Sequence, residues 1–183
     1  MPIRPIIGPS NPVLRRKARA VENPNTPAIQ QLIDDLIATM RVAPGVGLAA
    51  PQVAVAQRIA VIEYGEMPED APQDFEPEKK LYVVVNPEIV ARSEEMVDGA
   101  EGCLSLPGYA GNVKRHKAVT VKALNRKGKP IKIKAHDWLA RILQHELDHL
   151  DGVLFIDRAS KVWRVEDEED EEHQSESSGT RSK

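Results

Sequence analysis

Two histidines and a glutamate on one turn of an amphipathic helix constrain this chain more than any other feature. The segment reads Gln144-His145-Glu146-Leu147-Asp148-His149, and Leu139, Ile142, Leu143, Leu147 and Leu150 recur around it at intervals of three and four. That spacing defines one buried helix stripe, which has to pack against other elements. The two imidazoles stand about one helical turn apart, so both reach a single divalent ion from one face. An advance of about 100° per residue sets Glu146 inside the stripe and His145 and His149 on its flank beside Ile142. Burial raises a carboxyl pKa toward neutrality, which suits Glu146 to take a proton from water and later release it. Asp137 is the expected N-cap and Gly152 the expected C-terminal stop.

A solvated surface helix would carry the same letters, but an unpaired acid within an apolar stripe is costly without a partner or a metal. A third protein ligand is needed, and candidates are few: one cysteine, Cys103, and the histidines His116, His136 and His173. Cys103 lies in Glu101-Gly102-Cys103-Leu104-Ser105-Leu106-Pro107. Glycine and proline bracket a short extended run there that can bring a thiolate and backbone amides to a metal. The competing role is a small buried hydrophobe, the commoner fate of an unpaired cysteine.

A third stretch, Gly45-Val46-Gly47-Leu48-Ala49-Ala50-Pro51-Gln52, has neither the Lys-Ser/Thr ending of a phosphate loop nor the third glycine of a dinucleotide fingerprint, which argues against nucleotide binding. Its glycines instead allow a substrate backbone to come close, with Gln52 as an amide donor. An ordinary glycine-rich turn is the alternative. Taken in order, these three stretches resemble the signature motifs of the peptide deformylase family. The resemblance runs from about residue 6 to 158 and includes Asn11-Pro12-Val13-Leu14-Arg15 and Gly152-Val153-Leu154-Phe155-Ile156-Asp157.

The resemblance implies a hydrolase that removes the N-formyl group from N-formylmethionyl polypeptides and releases formate. It implies Cys103, His145 and His149 as metal ligands with a water completing the site, an open arrangement that marks a catalytic ion. It makes Glu146 the base, and Gln52 and the Leu104 backbone N–H the donors to the developing oxyanion. The family's usual metal is Fe(II), and Zn, Ni or Co also suit one thiolate with two imidazoles. Around Gly45, Val46 and Gly47 the nascent peptide is expected to add as a strand, so that backbone groups provide tolerance of sequence. Val46 and Ile142 are candidates for the methionine pocket. Trp138 is a further one, with core packing as its competing role. Some relatives carry an arginine where this chain has Ala110, in Gly108-Tyr109-Ala110-Gly111. Arg115 matches a common family position and is expected to pair with Glu101, against the alternative of a solvated surface arginine.

The fold class expected is α+β, with antiparallel strands packed around a central metal-binding helix. A first helix over 27–41 begins at Thr26-Pro27 and buries Ile29, Leu32, Ile33, Leu36, Ile37 and Met40. Strands are expected over 59–64, 81–86, 119–124 and 131–135, the last two as a hairpin across 125–130. Strands grouped between two helices argue against a doubly wound parallel sheet. The stretch 66–80, rich in Pro, Glu and Asp, reads as a surface loop.

A catalytic domain over 1–164 and an acidic disordered tail over 165–183 are expected, because every residue of 166–172 is acidic. Removing that run turns the formal net charge of −3 positive. Some deformylases dock on the ribosome through a basic C-terminal helix, a route this acidic tail disfavours because RNA phosphates would repel it. No direct nucleic-acid binding is expected. No apolar run reaches a membrane span, no secretory or organellar leader is evident, and one cysteine fits a reducing compartment; a bacterial-type cytoplasm is expected. Two rival classes share the His-Glu-His helix. A metzincin would want His where this chain has Phe155, and a gluzincin would need a downstream helical Glu. A non-catalytic metal-stabilised binding module would make Glu146 dispensable.

Overall fold

The computed structural model describes residues 2–165 apart from Glu69 and Gln73; the acidic run 166–172 lies outside the described residues. After a short 3₁₀ turn at Pro12–Arg15, helix α1 spans Pro27–Val42. Thr26 caps it, its hydroxyl accepting from the Ile29 N–H at 3.4 Å. Its buried face is Leu32, Ile33, Leu36, Ile37 and Met40, with Ile29 half-buried.

Strands β1 (Gly47–Ala49), β2 (Ile59–Tyr64), β3 (Lys80–Arg92), β6 (Ala118–Leu124) and β7 (Pro130–His136) form one sheet in the order β1-β2-β3-β6-β7. Strands β4 (Met96–Cys103), β5 (Leu106–His116) and β8 (Lys161–Arg164) form a second, in the order β4-β5-β8. All of these pairings are antiparallel. The α+β architecture expected from the sequence is therefore present, with the hairpin of β6 and β7 in the expected place. Three strand bounds agree with expectation to within a residue at each end. The third strand runs on to Arg92 past a register shift at Val85/Glu88; the extended run expected around Cys103 is the end of β4, whose full length was not anticipated, nor were β1, β5 and β8.

Helix α2 (Asp137–Leu150) lies between the sheets. Its burial is wider than the single stripe expected from the leucines. Ala140 through Gln144 and Glu146 through Leu150 are all buried, because β1, β2, β6 and β7 cover one side and β5 another. Asp137 is not the cap: the preceding His136 holds that position without a side-chain hydrogen bond, and Asp137 is already the first helical residue, its carboxylate facing His136 Nδ1 at 3.0 Å. The C-terminal stop is as expected, since Gly152 adopts φ +77 just beyond the helix. The Leu150 carbonyl accepts from Ala18 N at 2.8 Å and from Arg58 Nη1 at 3.2 Å, so this helix end is satisfied. Among the described residues no helix is long and apolar enough to cross a membrane.

Candidate metal centre

Cys103 is the last residue of β4, and the chain turns at Leu104 and Ser105 directly into β5. The β4–β5 register shifts between Gly102 and Cys103, where the partner passes from Ala110 to Leu106 and the extra residues lie on β5. His145 and His149 approach from the helix. One donor atom from each of the three residues lies within 4.8 Å of the others. His149 turns Nε2 toward Cys103 Sγ at 3.3 Å. One thiolate and two imidazoles suit a divalent transition metal, and three protein ligands leave a position for chemistry. The residues present fit such an ion.

The imidazoles are tuned in opposite ways. Burial, with neighbouring His145 and Arg115, holds His149 well below its ordinary pKa, so it stays in the neutral form that can bind a metal. Burial also pulls on His145, but hydrogen bonds to Cys103 and Glu101 outweigh it and carry the metal-free ring up to about 10, so a metal taking Nε2 has to displace its proton. His145 Nδ1 donates to Glu101 Oε2 at 3.0 Å, which leaves Nε2 for a metal and makes the ring a strong donor.

Glu146 is only 4% exposed, and its Oε2 has no protein hydrogen-bond partner. Burial, reinforced by the charge of Glu101 and opposed by His145, pushes it up to about 7. A carboxylate poised there can shuttle a proton near neutral pH. It packs against Gly47, where any β-carbon would overlap the carboxylate. Gln52 is anchored by Oε1, which accepts from Ala49 N at 2.9 Å, while Nε2 donates to Ser105 Oγ at 3.4 Å and Cys103 Sγ at 3.6 Å. Its amide N–H groups therefore face the Cys103 sulfur.

A cavity of about 390 Å³ opens over these groups. Gly45, Val46 and Gly47 form one lip, Leu104 and Tyr109 another, and Ile142 and Trp138 lie along the helix side. Cys103, His145, Glu146 and Gln52 reach its wall, while His149 sits a layer deeper at 1% exposure. Cys103, His145, His149, Glu146, Gln52, Leu104, Gly45, Val46, Gly47 and Ile142 are thus brought to one place, whereas the other candidate ligands His116 and His136 lie apart from it and His173 lies outside the described residues. Trp138 is 45% exposed and lines the cavity, so core packing is not its role. Beyond Gly47, β1 is an edge strand of its sheet.

Behind Cys103 and the two histidines runs a buried ionic chain that the sequence showed only in part. Glu101 accepts from Arg115 Nε and Nη2, each at 2.9 Å, from Arg141 Nη1 at 2.9 Å and from His145. Arg115 continues to Asp148 at 2.5 Å, which also accepts from Arg158. Arg115 is 4% exposed, which removes the solvated alternative and leaves the expected pair with Glu101. Arg141 and Asp148 looked like ordinary helix charges. Their one sequence signal was position, Arg141 one turn before His145.

A buried His-Glu-His helix, a thiolate delivered from a facing strand and an oriented amide donor together define a metal-dependent hydrolase of the amide-cleaving type. The comparisons make this particular. The family model for polypeptide deformylase matches residues 3–165. Peptide deformylase 2 of a Nostoc species is 48% identical over 92% of this chain and 93% of its own. The crystal structure of peptide deformylase from Ehrlichia chaffeensis superposes with a TM-score of 0.79 at 39% identity, covering 87% of this chain and 89% of that one. A Met-Ala-Ser-bound class I type b peptide deformylase from Acinetobacter baumannii gives 0.76 at 37% identity, over 86% and 98%. The chain belongs to the peptide deformylase family: it is a hydrolase that removes the N-formyl group from formylmethionine at the start of new polypeptides, releasing formate.

Proposed function

We propose that Cys103, His145 and His149 hold the catalytic ion, Fe(II) in the cell with Zn, Ni or Co as functional substitutes, and that Glu146 is the general base. The observation that carries this reading is the convergence of a thiol, two imidazoles and a desolvated carboxylate at the floor of one cavity. When bound, the ion supplies Lewis acidity to water and to the formyl oxygen. Glu146 takes the proton of the attacking water and passes it to the departing amine nitrogen, a shuttle its elevated pKa supports. Gln52 Nε2 and the Leu104 N–H donate to the oxygen as it gains charge. Gln52 needs little reorganisation because its other amide atom is already held by Ala49.

The free edge at β1 supports strand addition by a peptide along Gly45, Val46 and Gly47, and Ile142 at the cavity wall suits the methionine side chain. Nascent N-formylmethionyl peptides are the substrates and the bacterial cytoplasm the site of action. Residues 1–164 form the catalytic unit, and the acidic segment 165–183 adds no route to ribosomal RNA. The test is a comparison of metal-loaded enzyme on formyl-Met-Ala-Ser and on unformylated peptides with internal bonds. Formate release from the first alone is expected; cleavage of internal bonds would favour the metallopeptidase class instead.

A further inference from the structure

The ligand His145 and the carboxylate behind it are themselves held by a residue without a role so far. Arg141 lies one turn before His145 on α2, so both side chains leave the same face of the helix. Its guanidinium is 6% exposed as a residue and donates in four directions. Nη1 reaches Glu101 Oε1 at 2.9 Å, the Val113 carbonyl of β5 at 2.8 Å and the Gly99 carbonyl at 3.3 Å, while Nη2 reaches the Val97 carbonyl of β4 at 2.7 Å. One planar group thus ties the metal helix to both strands that flank the Cys103 turn.

Gly99 makes room for it. A β-carbon there would lie 2.8 Å from Arg141 Cζ and from Nη2. The backbone at Gly99 is ordinary extended strand and lacks the positive φ that would demand glycine for conformational reasons. Seating the guanidinium explains the glycine.

We propose that Arg141, seated on Gly99, is a positioning residue for the metal centre. It fixes the Glu101 carboxylate that orients His145, and it sets the distance between β4, which carries Cys103, and α2, which carries both histidines. The planar fork matters because Nη1 serves the carboxylate and the carbonyls of Gly99 and Val113 while Nη2 reaches the Val97 carbonyl, a second donor atom that an ammonium lacks. The inference rests on the metal site proposed above.

The test compares zinc-loaded wild type with Arg141→Met, Arg141→Lys, Gly99→Ala and, as a destabilised control remote in the fold, Leu32→Ala on α1. Zinc release to a chromogenic chelator is followed beside the thermal midpoint and the kcat and KM for formyl-Met-Ala-Ser. Arg141→Met is expected to release zinc about tenfold faster, with kcat lowered and KM within about twofold. Gly99→Ala should move the same way while keeping the arginine charge, Arg141→Lys should fall between, and Leu32→Ala should lose midpoint without releasing zinc faster. If Arg141→Met does not fold, Gly99→Ala decides alone. Release from Arg141→Met and Gly99→Ala no faster than from Leu32→Ala would overturn the proposal. Absence of formate release from wild type would count against the reaction, while the zinc comparison would still decide the role of Arg141.

Discussion

Gly47 on the edge strand lies so close against Glu146 that a β-carbon at position 47 would overlap the carboxylate. The glycine is therefore part of how the Glu146 carboxylate, the proposed base, is aimed. Gly47→Ala should displace Glu146 and lower kcat by about a hundredfold, with a nearly unchanged melting temperature. Stopped assays on metal-matched samples check this, and an unchanged kcat would show that the carboxylate has freedom the packing denies it.

Gln52 divides its amide between structure and chemistry, one end on Ala49 N and the other facing Cys103 and Ser105. Gln52→Glu keeps an acceptor for Ala49 but removes the donor. It is expected to lose about 10²–10³ in kcat while retaining the fold, as read by steady-state kinetics beside circular dichroism. A loss confined to KM would assign Gln52 to ground-state binding instead.

Glu101 is the common acceptor for Arg115, Arg141 and His145. Burial raises its pKa, but the hydrogen bonds from Arg115 and His145 prevail and hold it at about 2 against an ordinary value of 4.5. A depressed carboxyl pKa contributes stability that is complete above 4.5 and disappears as pH falls toward about 2. Glu101→Gln should cost about 3–5 kcal/mol near neutrality, since it leaves the buried Arg141 guanidinium with carbonyl acceptors only and takes one of two carboxylates from Arg115. The gap between wild type and variant in urea midpoint should narrow as pH falls through that window. A constant gap would contradict the assignment of the charge to Glu101.

Gly152 ends α2 at φ +77, and a β-carbon there would meet the Arg15 backbone at 2.8 Å. Gly152→Ala is expected to cost at least about 1 kcal/mol from the left-handed conformation alone, about 2–4 °C in Tm. Calorimetry of the variant measures this directly.

Both helices and strands β2, β6 and β7 were legible because their apolar residues keep a helical or alternating period against the two main core clusters. Strands β4 and β5 were not. Met-Val-Asp-Gly-Ala-Glu-Gly-Cys has three of its first four residues exposed with no clean alternation, and β5 contains Pro107, Gly108 and Gly111. Pairing with each other, rather than local propensity, makes them strands. The site divides the same way. Cys103, His145, His149, Glu146 and Gln52 were visible because metal chemistry uses those side chains at those spacings, whereas Arg141 and Asp148 look like solvated charges until β4 and β5 fold over them. Trp138 went the other way, to the cavity mouth.

The central claim is that Glu146 acts as base beside an ion held by Cys103, His145 and His149. The most direct measurement is formate release from a formyl-Met tripeptide by wild type, Glu146→Ala and Cys103→Ala, purified without oxygen, with metal content determined on each sample. The account predicts that wild type releases formate, that Glu146→Ala retains a full equivalent of metal yet releases none, and that Cys103→Ala loses both metal and turnover. Sustained turnover by metal-loaded Glu146→Ala would contradict it.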